Sequence, residues 1–80
     1  MSRKPKSEEA SIRTRVEEFR TKAGLSRQDL ADAVGVHYQT IGYIERGEYS
    51  PSLVLALKIA QQLHQTVDEL FSLEETEDGK

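Results

Sequence analysis

Eighty residues leave room for one small domain around a single hydrophobic core. With 36% apolar and 31% charged residues the composition is that of an ordinary globular chain, and the lack of cysteine excludes a disulfide framework, a thiol nucleophile and a thiolate metal site. The formal net charge of −3 argues, taken as a whole, against a nucleic-acid partner, and no apolar run approaches the roughly 18 residues of a membrane span.

Residues 1–10 are polar, contain Pro5 and lack the apolar centre of a secretory signal, so they read as a flexible basic arm on a cytoplasmic protein. Charge is spread unevenly. Residues 1–27 hold eight Lys or Arg against four Glu, and residues 28–80 hold three against ten acids. Six of those ten lie in the closing stretch "DELFSLEETEDGK". Exposed charges are screened over about 10 Å, so a local basic face is compatible with the overall deficit.

From residue 11 to residue 73 each segment has helical period and none has strand alternation. Ile12, Val16, Phe19 and Ala23 form the apolar stripe of a first helix, which Gly24 ends. Ser26 and Asp29 make a capping box for a second, with Leu30, Ala31 and Val34 inside and Gly35 as its stop. Val36 and the N-cap candidate His37 separate it from a third, Tyr38 to Arg46, closed by Gly47. "EYSPS" is a loop, because Pro51 disfavours a helical Ser50. Ser52 caps a fourth helix that turns Leu53, Ala56, Leu57, Ala60 and Leu63 to the core, leaving Leu55 and Ile59 as a spare apolar face. Thr66 and Glu69 form a capping box for a short fifth helix bearing Val67, Leu70 and Phe71, and residues 74–80 read as an acidic disordered tail. The expected fold is all-α, a compact five-helix domain over residues 11–73.

The short link between helices two and three carries the most information. A turn of three or four residues containing glycine makes two helices cross steeply. Such a corner needs a small residue at the contact, a glycine in the turn and branched apolar side chains pointing back from the second helix. Ala31, Gly35, Val36, Ile41 and Ile44 fill these roles in order. With Ile41 and Ile44 inside, Tyr38, Gln39, Gly42 and Tyr43 are expected to face out.

The run "LSRQDLADAVGVHYQTIGYIERGEYSPSLVLALKIAQQLHQTVDELF" resembles the helix-turn-helix domain of the phage repressor and Cro family, also called the xenobiotic-response-element type of bacterial regulator. The resemblance extends over residues 12 to about 73 and is closest to minimal single-domain members. It implies a lambda-repressor-like fold with the helix-turn-helix at helices two and three, and double-stranded DNA as the partner. In similar proteins the first turn of helix two sits over a phosphate, which falls here on Arg27 and Gln28. Base reading in the major groove falls on Tyr38, Gln39, Gly42 and Tyr43. Gln39 suits adenine, a tyrosine ring suits a thymine methyl, and Gly42 removes a side chain at the groove wall. His37, Arg46 and Ser50 match positions near the phosphate backbone, and Arg20 and Glu45 match a buried ion pair of similar repressors. His37 departs from the usual Ser or Thr cap, and His64 from the usual Asn or Gly.

A single domain offers few base contacts, so affinity of about 10⁻⁸ M or tighter calls for two copies on a pseudo-palindrome. Leu55, Ile59, Leu70, Phe71 and Leu73 are the expected contacts of such a homodimer. The two histidines stand far apart without cysteine, and no Ser/His/Asp set or phosphate loop stands out. The reading is therefore of a repressor rather than an enzyme, without metal, cofactor, small-molecule ligand or membrane partner. A protein-interaction module, such as a small antitoxin or a transcriptional adaptor, is the alternative that the acidic balance favours.

Overall fold

The computed structural model describes residues 12–73; the predicted basic arm at residues 1–10 and acidic tail at residues 74–80 lie outside the described residues. Within them, polar side chains set the helix starts by accepting backbone N–H groups that the first turn leaves unpaired. Helix α1 (Val16–Lys22) follows Thr14, whose Oγ1 accepts the Val16 N–H at 3.2 Å. Helix α2 (Arg27–Val34) opens on a complete capping box, in which Ser26 Oγ accepts the Asp29 N–H and the Asp29 carboxylate accepts the Ser26 N–H, both at 2.9 Å. That backbone donor holds the Asp29 carboxyl below its ordinary pKa. Helix α3 (Tyr38–Glu45) is capped by His37, α4 (Leu53–Leu63) by Ser52 and α5 (Val67–Leu70) by Thr66. At α5 only half of the expected box forms, because the Glu69 carboxylate turns towards Arg15, 3.8 Å away.

The first helix is shorter than its apolar stripe suggested. Ile12 belongs instead to strand β1 (Ile12–Thr14), which pairs antiparallel with β2 (Phe71–Leu73) in the register Ile12↔Leu73, Arg13↔Ser72 and Thr14↔Phe71. The Arg15 N–H to Leu70 carbonyl bond, 2.8 Å, continues the ladder into the helices. Three residues are too few for alternation to be read, and Ile12 happens to stand one helical turn from Val16. Ala23, expected inside, is exposed at the C-cap. The strand pair thus ties the two ends of an otherwise five-helix domain together. Gly47 completes the closure: its φ of +75° suits glycine, and a Cβ there would come within 2.9 Å of the Ile12 carbonyl oxygen.

Val16, Leu30, Ile41, Ile44, Ile59 and Leu70 are the large side chains fully enclosed in the core. Helix α4 is rotated from the expected orientation. Ile59 is 0% exposed, whereas Leu53 and Leu57, expected inside, are 69% and 53% exposed. The stretch "LVLALKIA" is apolar nearly all round, so its periodicity does not choose a face. The small side chains of Ala56 and Ala60 decide it, by letting α4 lie close to α2 and α5 while Ile59 fills the centre.

Helix α4 ends at His64, a non-glycine residue in the left-handed region at φ 57°. Since that conformation costs an L-residue about 1–2 kcal/mol, His64→Gly is expected to raise stability by about 1 kcal/mol in urea unfolding. Leu70→Ala should cost about 2–5 kcal/mol and Leu57→Ser less than about 0.5 kcal/mol in the same assay, since only Leu70 leaves a cavity.

Candidate nucleic-acid interface

The corner between α2 and α3 is set by backbone geometry first. Gly35 sits at φ 83°, and its N–H and that of Val36 both reach the Ala31 carbonyl, at 2.8 and 3.0 Å. The chain then leaves α2 steeply and re-enters a helix within three residues. His37 holds the start of α3: its Nδ1 accepts the Gln39 N–H at 3.1 Å, which leaves Nε2 as the outward donor. Its ring also stacks on Tyr38, with centroids 5.0 Å apart, so the cap orients that tyrosine.

Ile41 and Ile44 are buried, and Tyr38, Gln39 and Tyr43 stand exposed on the opposite side of α3. Gly42 does not join them. It was expected to face out, but it is buried, because the Arg46 side chain folds back one helical turn and lies across it. Arg46 does not extend along the loop. Its guanidinium lies 5.2 Å from the centroid of the Tyr43 ring and its Nε donates to Glu48 Oε1 at 3.2 Å. Ser50 is exposed in the loop beyond, and Gln28 is exposed on α2, where its amide donates to Asp32 at 2.8 Å.

Beneath this face lies a buried carboxylate. The Glu45 side chain is 1% exposed and Arg20 9% exposed, and Arg20 Nε donates to Glu45 Oε2 at 2.5 Å while Nη2 reaches Oε1 at 3.4 Å. Arg20 Nη1 is satisfied by the Leu25 carbonyl at 2.8 Å. The other Glu45 oxygen also accepts Arg27 Nε at 2.9 Å, a partner that spacing in the sequence does not suggest. Glu45 therefore ties α1 to α3 through Arg20 and α2 to α3 through Arg27. Its hydrogen bond and its charge raise the Arg27 pKa above the ordinary arginine value. Arg27 remains 42% exposed, and among the described residues its one side-chain hydrogen bond is made through Nε.

Two of the expected dimer contacts are corrected by burial. Ile59 and Leu70 are enclosed in the core, and Leu55 and Phe71 are half-buried against it, so of that set Leu73 alone is exposed, at 67%. The apolar side chains that do lie open on α4 are Leu53, Val54 and Leu57. With Leu73, the half-buried Phe71 and Val67 border them along α5 and β2. A helix apolar on all sides was the one available sign that some of its leucines had to remain outside.

The helix-turn-helix family model HTH_3 matches residues 16–70, the whole run from α1 to α5. This chain belongs to the helix-turn-helix family of DNA-binding transcriptional regulators. An uncharacterized HTH-type transcriptional regulator of Archaeoglobus fulgidus is 44% identical over 66 residues, covering 82% of this chain and 94% of the relative. YgzD of Bacillus subtilis, likewise an uncharacterized HTH-type regulator, is 42% identical over 64 residues, covering 80% and 97%. Among solved structures, the restriction-modification controller protein C.AhdI of Aeromonas hydrophila superposes with a TM-score of 0.64 at 40% identity, covering 69% of this chain and 83% of that one. A chain of the SinR protein/SinI protein complex superposes with the same TM-score at 28% identity, covering 69% of this chain and 54% of that one. In this helix-turn-helix protein the β1–β2 pair stands outside the residues that the family model matches, on both sides.

Removing Glu45 leaves Arg20 buried without a counter-charge. Glu45→Ala is expected to cost about 3 kcal/mol in urea unfolding, and a loss under about 0.5 kcal/mol would refute the structural role of the pair.

Proposed function

We propose that the chain is a sequence-specific repressor that binds a pseudo-palindromic operator as a homodimer. The observation that carries this reading is the exposed face of α3, where Tyr38, Gln39 and Tyr43 stand open on the helix that carries Gly42, over which Arg27 and Arg46 meet. Gln39 is assigned to an adenine edge, which its amide can contact bidentately, and the two tyrosine rings to thymine methyls or base edges in the major groove. Arg27, Gln28, His37, Arg46 and Ser50 are assigned to the phosphate backbone, where they set orientation rather than sequence. Gly42 is withdrawn from base reading and becomes the floor beneath Arg46.

Dimerisation is assigned to the open apolar side chains Leu53, Val54, Leu57 and Leu73, flanked by Phe71. These replace Ile59 and Leu70, which are spent in the core. The patch lies on α4 and β2 and shares no residue with the α3 face assigned to DNA. The same patch supports a second reading, a module that holds a different protein. A solved neighbour of this fold is part of a complex between two proteins, SinR and SinI, which gives that reading its support.

Selection of duplex DNA from a random pool at about 150 mM salt tests the leading reading, because specific contacts outlast the electrostatic ones there. Enrichment of an inverted repeat with half-sites about 34 Å apart is the expected result. Failure to enrich any sequence by folded protein turns the assignment to the partner-binding module. On the selected site Gln39→Ala should relax one base position per half-site by roughly tenfold to a hundredfold, in line with about 1–3 kcal/mol per bidentate contact. Light scattering over a concentration series is expected to report a dimer that Leu57→Glu converts to a monomer; an unaltered chain that stays monomeric with and without DNA would refute the dimer.

A further inference from the structure

Arg27 and Arg46 come from different helices and different ends of the helix-turn-helix, yet they converge on one point. A Cβ built on Gly42 would lie 3.3 Å from Arg46 Nη1, 4.0 Å from Arg46 Nη2 and 4.0 Å from Arg27 Nε. Each guanidinium is anchored in the same manner, through Nε on a carboxylate: Arg27 on Glu45 at 2.9 Å, Arg46 on Glu48 at 3.2 Å. Those anchors leave the terminal Nη groups of both side chains without a hydrogen-bond partner among the described residues. Two like charges brought to one point repel unless an anion lies between them, and two planar forks with open terminal donors suit the oxygens of a phosphate. Like-charge repulsion here is moderated by Glu45 and Glu48 but not cancelled, since Arg20 also draws on Glu45.

We infer that Arg27 and Arg46 form a single oxyanion cradle over Gly42 that grips one backbone phosphate of bound DNA. This rests on the DNA-binding reading above and deepens it, since two arginines otherwise assigned to separate phosphates act on one. Glu45 is then a positioning residue as well as a structural one: the buried carboxylate fixes Arg27 at the angle the cradle requires. Glu48 does the same for Arg46, with the Tyr43 ring as the surface on which that guanidinium rests. A methyl group in place of Gly42 would lie 3.3 Å from Arg46 Nη1, so that guanidinium would have to give by a few tenths of an ångström.

The test measures affinity for the selected duplex over a salt series, with the unaltered chain, Arg27→Gln, Arg46→Gln, the double variant and Gly42→Ala, each checked for folding by thermal melting. Each single change should weaken binding about tenfold on all duplexes alike, as expected for a charge-assisted contact. One shared phosphate means that the double variant lowers the slope of log K against log salt by about 0.9 in total. A fall of about 1.8 means two separate phosphates and overturns the cradle. Gly42→Ala should weaken binding only while Arg46 is present; equal weakening in the Arg46→Gln background overturns the role given to Gly42. Altered base preference after Arg46→Gln would make that residue a base reader and likewise overturn the inference. A duplex carrying neutral methylphosphonates reads the site without altering the protein, and a single position should abolish sensitivity to both arginine changes. Absence of any duplex binding by the unaltered chain would remove the DNA reading itself and the cradle with it, whereas the other adverse outcomes remove the cradle alone.

Discussion

The structure depends on one buried carboxylate. Glu45 lies at the end of α3, shielded from water, and receives Arg20 from α1 and Arg27 from α2. A charge in that position is costly to desolvate and is tolerated only when its hydrogen-bonding capacity is filled. Filling it fixes how three helices meet. In a domain this small, whose core is built from a handful of large aliphatic side chains, that constraint joins the Gly35 turn in holding the angle of α3.

The exposed face follows from that angle. Once Ile41, Ile44 and Glu45 are committed to the interior, the opposite side of a two-turn helix has few positions left, and Tyr38, Gln39 and Tyr43 occupy them. The supporting contacts are local and economical: His37 caps the helix and stacks on Tyr38, and Arg46 folds back onto Tyr43. Rigid aromatic side chains with few rotatable bonds, held by stacking neighbours, lose little entropy when they meet a partner surface. The acidic balance of the whole chain does not oppose this, because exposed charges are screened over about 10 Å and the field near α3 is set by its nearest charges.

The open face of α4 has a different logic. Helix α4 carries more apolar surface than one small core can bury, and its alanines determine which part enters. What remains outside, Leu53, Val54 and Leu57 beside Leu73, is a patch with a thermodynamic reason to be covered. The strand pair joins the two ends of the described residues beside that patch and adds Leu73, from outside the family's matched run, to the side chains of α4.

Most of the helices were legible in the chain because their signals are local. Ser26, Ser52 and Thr66 announce helix starts, Gly24, Gly35 and Gly47 the stops, and the short interval between Gly35 and Tyr38 the corner itself. The outward set Tyr38, Gln39 and Tyr43 followed from placing Ile41 and Ile44 inside, which is again a matter of helical period. Tertiary structure decided what period leaves degenerate. Which leucines of "LVLALKIA" are buried depends on the close approach that Ala56 and Ala60 permit to neighbouring helices, and a run apolar on every side carries no trace of that choice. Pairing of Ile12–Thr14 with Phe71–Leu73 joins segments nearly a whole chain apart, each too short for its own alternation to be read. The convergence of Arg27 on Arg46 over Gly42 is likewise long-range, because Arg27 is aimed by Glu45, whose position beside α2 exists only once the helices have packed, whereas Arg46 is held locally by Glu48.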